Sequence, residues 1–200
     1  MIITSEQRDT KIQFHVVVDG VECHVHVPDD AKARKLAGWA IVASDLSVAK
    51  KQLQLLSIQS DTDVRHAIWI IAITFYVRCF VSGGVMLRKH NHLKGISQKL
   101  REFHDSLIAM RMNYTAHAGL NEHQLVQVCI ALHPDLNDKK IVQIGYLHAR
   151  RISPLSTEVD DFLSLIDELQ PVVSSRIKKF EEHLIQTADI GRMYFDATSK

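Results

Sequence analysis

The chain has 200 residues, 46% of them apolar and 24% charged, which suits a globular protein with a proper core. Its 24 basic and 23 acidic residues leave a net charge of +1, so no overall field draws it to nucleic acid or membrane, and any anion site must be local. Three widely spaced cysteines, Cys23, Cys79 and Cys129, form no CxxC and argue against a disulfide framework, so they read as reduced core thiols.

The N-terminal MIITSEQRDTK lacks the apolar core of a signal peptide. Residues 12–27 carry a hairpin pattern. IQFHVVV and VECHVHV flank Asp19-Gly20, a dipeptide that accepts the positive φ of a type I′ turn. A two-residue turn sets Val18 opposite Val21, Val16 opposite Cys23 and His15 opposite His24. The face with Phe14, Val16, Val18, Val21, Cys23 and Val25 is expected to pack on helices. The face with His15, His24, His26 and Glu22 is expected to meet water. Three imidazoles so placed can hold zinc. Solvated strand histidines are the commoner case, and no metal or cofactor is assigned.

Pro28-Asp29-Asp30 opens a helix expected over about 29–57, with an acidic cap and with Leu36, Ala40, Ile41, Val48, Leu55 and Leu56 turned inward. SDTD at 60–63 stops it and caps a second helix, about 63–81, apolar nearly all round and so expected to be the central buried one. Its run AIWIIAITFYV is eleven residues long, too short to span a bilayer, so no membrane association and a cytoplasmic location are expected. A basic loop, LRKHNHLK, precedes a third helix over about 92–116, whose Leu93, Ile96, Leu100, Phe103, Leu107, Met110 and Tyr114 recur at spacings of three and four.

The period then changes. HQLVQVCIALHP and KKIVQIGYLHARRI predict a second hairpin over about 124–150. Thr157-Glu158-Val159-Asp160 predicts a capping box opening a last helix, about 157–188, kinked at Pro171. A tail follows over 189–200. The fold expected is mainly α: a single domain over 1–200, in which a bundle of four long helices carries an N-terminal β-hairpin and a second one before the last helix.

One local arrangement points to chemistry. Arg111 is followed after five residues by His117, with Ala116, Ala118 and Gly119 around the histidine. The spacing is not distinctive, because Arg8 to His15 and Arg176 to His183 nearly repeat it. Position sets the middle pair apart. It ends a core helix, His117 falls on the apolar stripe, and the small residues beside it admit a second chain. Arg78, near the end of the apolar helix, is a candidate to face the same cleft and hold phosphate. A cation favoured by the helix C-terminus is its ordinary reading. Arg88, Lys89, His90, His92 and Lys94 could follow a phosphate backbone or be a solvated loop. His104-Asp105 resembles the metal-binding pair of HD phosphohydrolases, but it has no matching His and Asp and reads as coincidence.

RMNYTAHAG resembles the signature of HEPN domains (higher eukaryote and prokaryote nucleotide-binding), in which a late helix of a helical bundle ends in Arg, four to six residues and His. Tyr114 and Ala116 before His117, and FYVRCF at 75–80, fit the same likeness, which covers about residues 30–120 and the final helix. It implies a homodimer that cleaves RNA without a metal, of the toxin or phage-defence kind, with an antitoxin or defence partner. Arg111 would bind the scissile phosphate and His117 would be the general acid/base. Arg78, Tyr114, Arg88 and Lys89 would complete the substrate-binding set. Met112 stands where catalytic members carry Asn, Asp or His. That departure leaves a second reading, a non-catalytic module binding a nucleotide, RNA or a protein.

Overall fold

A computed structural model describes residues 2–8, 11–23, 25, 28, 30–81, 85–112, 124–132, 141–150 and 154–187; for residues 2–8, 11–15, 124–132 and 141–150 it describes the backbone alone. It is mainly helical. The chain divides into two compact units, one of residues 1–37 with 175–200 and the other of residues 38–174.

In the first unit, Asp19 and Gly20 both adopt positive φ, 51° and 81°, as a type I′ turn requires. The turn joins β2 (Lys11–Val18) to β3 (Val21–Cys23) in the expected register, Val18 opposite Val21 and Val16 opposite Cys23. Two expectations need correction. A further strand, β1 (Ile2–Arg8), pairs antiparallel along the other edge of β2, from Ile2 opposite Val17 to Arg8 opposite Lys11, so the hairpin is part of a three-stranded sheet. The face expected to pack inward is open at the turn, where Val18, Val21 and Cys23 are all exposed, so Cys23 is a surface thiol. The strand partners His24 and His26 lie outside the described residues.

Helix α1 (Ala31–Leu56) starts where the Asp30 carboxylate accepts the N–H groups of Lys32 and Ala33 at 2.6 and 2.8 Å. The bond from Ala33, before any other cause, holds that carboxyl below its ordinary range. Helix α2 (Thr62–Val81) is capped likewise by Asp61, which accepts from Asp63 and Val64 at 2.9 Å. The two helices run antiparallel. Arg65 donates to Leu56 O, Arg78 lies against Asp45, and the Cys79 thiol donates to Val42 O at 3.8 Å.

The inward face of α1 differs from the expected one. Trp39, Val42, Leu46, Ala49, Leu53 and Leu56 are buried, at spacings of three and four, whereas Ile41 and Leu55 are exposed. Two apolar stripes wind along this helix, and the buried one contains the tryptophan. Nor is α2 buried all round: Trp69, Ala72, Ile73, Tyr76 and Val77 face the core, but Val64, Ile71 and Val81 are exposed.

A one-turn helix, α3 (Lys89–His92), and α4 (Gln98–Arg111) replace the single helix expected over 92–116. The hydrogen-bonded helix stops at Leu93, and Ser97 restarts it by accepting from the Leu100 N–H. Residues 113–116 lie outside the described set. Strands β4 (Gln124–Leu132) and β5 (Ile141–Arg150) pair antiparallel, with an irregularity at Ala131/Leu132. Helix α5 (Ser156–Thr187) runs through Pro171. Its cap lies two residues earlier than expected. Glu158 accepts the Leu155 N–H at 2.8 Å, so the box is built on Leu155 and Glu158, directly after Pro154, which cannot donate.

In the second unit the core forms around Phe162 of α5. Its ring lies edge-on to Trp69 and Tyr76 of α2 and to Phe103 of α4, with centroids 5.5, 5.0 and 6.1 Å apart. Leu165, Ile166, Leu169 and Val173 continue the buried face of α5. Lys50 of α1 reaches Asp167, and Lys99 of α4 reaches Asp161.

Gly38 marks a close approach of Val85 to α1. A Cβ there would lie 2.6 Å from both Cβ and Cγ2 of Val85. Alanine improves helix propensity by about 1 kcal/mol, but overpacking costs about 1–3 kcal/mol. Gly38→Ala should therefore lower stability by about 1 kcal/mol, read as an earlier urea midpoint. A later midpoint would show that the segment carrying Val85 yields.

Candidate functional site

Arg111 is the last residue of α4 and is half-buried, with its Nε atom inside the protein. Seven residues bring an α-helix back to nearly the same direction. Arg111 therefore lies two turns beyond His104 and on its face, the face that α4 presents to α2. Met112 follows as the C-cap, in helical conformation and exposed. Tyr114 and His117 lie outside the described residues.

Upstream on the same face, the Tyr76 hydroxyl and His104 Nδ1 share a 2.8 Å hydrogen bond. Tyr76 is wholly buried and His104 nearly so. The Phe80 ring lies 4.5 Å from the imidazole, centroid to centroid. Burial pushes the His104 pKa down to about 4 and raises that of Tyr76 well above its ordinary value. Both groups are thus neutral near pH 7. The His104-Asp105 pair is split between two jobs, since Asp105 turns outward and both its oxygens accept from Lys89 Nζ at 2.6 Å.

That ion pair fixes one of the expected substrate-binding residues. Lys89 opens α3 and is held on α4 at Asp105, six residues and about 9 Å of helix rise before Arg111. Arg88 is exposed one residue earlier, and its backbone N–H donates to His92 Nδ1 at 2.7 Å. The His92 ring in turn meets Trp39 edge-on at 6.0 Å. The basic loop is thus anchored to α1 by His92 and to α4 by Lys89, which leaves Arg88, His90 and Lys94 on the surface.

Arg78 lies in the last turn of α2, as its ordinary reading expects, and not on the side of the candidate cleft. Two residues turn a helix by about 200°, so Arg78 lies opposite Tyr76, on the side of α2 away from α4. Its Nε is 3.4 Å from Asp45 Oδ2 of α1, and its guanidinium lies 5.2 Å from the centre of the Phe75 ring. Within one chain, Arg78 and Arg111 border different surfaces, so the shared cleft is not formed. Asp45 is buried, and desolvation raises its pKa while Arg78 pulls it back. Burial, with Asp45 near, pushes the Cys79 thiol up to about 12, so it is an inert core thiol as expected.

Asp45 and Tyr76 were not singled out in the sequence, and Asp105 was noted there only as half of a chance His-Asp pair. Asp45 had a visible signal, being a carboxylate three residues after Val42 and four before Ala49 on a buried stripe. Among the described residues, no group of three or more His, Cys, Asp or Glu side chains is placed to hold a metal ion. The side chains of His15, His24 and His26 lie outside that set. Comparison with family models, with curated proteins and with solved structures returned no match.

Proposed function

We propose that this chain is a HEPN-like protein and a metal-independent endoribonuclease, working as a homodimer of four-helix bundles in which each copy contributes Arg111 and His117. The observation that carries this reading is the position of Arg111. It closes α4 on the face shared with His104 and Leu107, half-buried, with five residues between it and His117. A guanidinium there has a permanent charge and forked donors suited to a phosphodiester. His117 would take the proton from a ribose 2′-hydroxyl, imidazole being the side chain suited to exchange protons near neutral pH. The 2′-oxygen then attacks phosphorus in line, and the 5′-oxygen leaves and gains a proton. The products are a 2′,3′-cyclic phosphate and a 5′-hydroxyl. Arg111 stabilises the charge that grows on the non-bridging oxygens. Arg88 and Lys89 offer further cations to the RNA backbone, and Tyr114 a ring for a base. A cytoplasmic setting, with an antitoxin or defence protein as partner, follows from the same resemblance.

Met112 supports a second reading. It is exposed directly beside Arg111 and supplies no polar contact to a substrate. A HEPN-like module that binds RNA or a nucleotide without cleaving it fits that surface. Incubation with single-stranded RNA in excess chelator separates the two. The ribonuclease reading expects cleavage to cyclic-phosphate ends, reduced about 10²–10⁴-fold in the Arg111→Ala, His117→Ala double variant. RNA retained in a gel shift but left intact would establish the binding module instead. Equal cleavage by both proteins would trace the activity to a contaminant.

A further inference from the structure

The core leaves one surface of the α1–α2 pair unused. On α1, Ile41, Val48 and Leu55 recur every seven residues and so share a face; Ile41 is 58% and Leu55 44% exposed, and Val48 is half-buried. On α2, Val64 and Ile71 are 42% and 41% exposed, and Ala67, Ile68 and Phe75 lie beside them on the outer side. The ion pair of Asp45 with Arg78 joins the two rows into one patch. Two helices side by side, each about 30 Å long and about 10 Å wide, make it about 600 Å², the upper limit of what monomers expose. Its charged groups are few. Exposed Lys51 stands between Val48 and Leu55, and Arg78 lies one turn beyond Phe75, over whose ring its guanidinium sits. Asp45 is buried against Arg78, and Asp63 stands at the margin where α2 begins.

We propose that this face lies on the surface of an anionic phospholipid bilayer, with α1 and α2 parallel to the membrane plane. Helix α2 has the length and apolar composition of a membrane span, yet only 39% of its most apolar stretch is buried, unlike the core helix of a soluble protein. It does not cross the bilayer. Trp69, Ala72, Ile73, Tyr76 and Val77 remain in the core, so only the opposite face is left to lipid. An unbroken apolar run too short to span a bilayer is no bar to a helix lying in its interface, apolar face down. Lys51 and Arg78 decide the kind of surface. Each has a long apolar stem that follows the acyl boundary while its charged end reaches lipid phosphate. Against a protein, two cations set in an apolar face need carboxylates fixed opposite them. An anionic bilayer supplies negative charge at any register. The face is on the side of α2 away from α4, so docking leaves Arg111 clear of the lipid. The proposal is independent of the ribonuclease reading and compatible with its dimer.

Flotation of the full chain with extruded vesicles tests this, since lipid-bound protein rises and aggregates sink. The wild type should float with vesicles of phosphatidylcholine and phosphatidylglycerol in equal parts, and less with phosphatidylcholine alone. Ile71→Glu and Ile41→Glu, each at an exposed position, should each stay at the bottom, with helical circular dichroism unchanged. Lys51→Gln should weaken binding to the anionic vesicles about fivefold, the effect of one cation near such a surface. The Arg111→Ala, His117→Ala variant should float as the wild type does, so the two readings fail separately. A wild type that floats with neither vesicle overturns the proposal. So does equal flotation with both compositions, or flotation that survives both glutamates. A chain that ignores vesicles but binds a synthetic amphipathic helix rich in glutamate also overturns it, and gives the face to a protein.

Discussion

Phe162→Ala should lower stability by about 3–5 kcal/mol, the range for removing a fully buried aromatic ring. The upper part is expected because Phe162 is wholly buried and its ring meets three others edge-on, on two different helices. Each such pair contributes about 0.5–1.5 kcal/mol beyond burial. For a chain of this size the melting temperature should fall by about 10 °C. The surface ion pairs are the natural comparison. Lys50–Asp167 and Lys99–Asp161 also join different helices, at 2.5 and 2.6 Å, but each keeps at least one partner well exposed. Exposed pairs contribute about 0–1 kcal/mol. Asp167→Asn should therefore shift the urea midpoint far less than Phe162→Ala. Equal shifts from the two variants would mean that the aromatic cluster does not hold α2, α4 and α5 together.

Local rules read the ends of this fold well and its faces less well. Asp19-Gly20 determined both the turn and the register because only a few residues tolerate positive φ at two successive positions. Asp30 and Asp61 capped their helices as carboxylates do. The inward face of α1 was misread for a physical reason. Its sequence holds two apolar rows, one through Trp39, Val42 and Leu46 and another through Ile41, Val48 and Leu55, each with an acceptable helical period. Only tertiary packing decides which is core. The same ambiguity hid the exposed side of α2, where an apolar composition all round concealed that one face is not covered within the chain. Strand β1 escaped notice because IITSEQR alternates too weakly to declare itself; β2 supplies the edge it pairs with.

For the candidate site, sequence spacing singled out Arg111 but could not orient Arg78. A helix position two residues from Tyr76 must point away from whatever Tyr76 touches, and that becomes visible only once Tyr76 is seen bonded to His104. His104 itself belonged to a histidine-rich background of 12, and only the fold shows it buried, as His66 also is, and bonded to Tyr76.

Burial gives His104 a pH effect that falls between neutrality and pH 4. Its pKa is about 4 in the folded chain against 6.5 for the free side chain, and desolvation is the main cause. Asp105 opposes that shift, and Lys89 adds to it. Above pH 6.5 the ring is neutral in both folded and unfolded chains, and its contribution to stability is complete. As pH falls below 6.5, the unfolded chain binds a proton that the folded one refuses, and stability is lost until about pH 4. The loss should be about 2 kcal/mol by pH 5 and about 3 kcal/mol at pH 4. Asp45 acts in the opposite sense. Its folded pKa is raised above 3.8, so it favours the folded state as acid is added in the range immediately above that value. Urea titrations at pH 7.5 and pH 5 isolate the histidine. His104→Asn keeps a hydrogen-bonding atom near the Nδ1 position but has nothing to titrate. It should start less stable, through lost ring packing against Phe80, and then lose about 2 kcal/mol less than the wild type between the two pH values. A wild-type stability that is flat from pH 7.5 to 5, or an equal acid loss in the variant, would mean that the folded protein accommodates a charged His104 beside Tyr76.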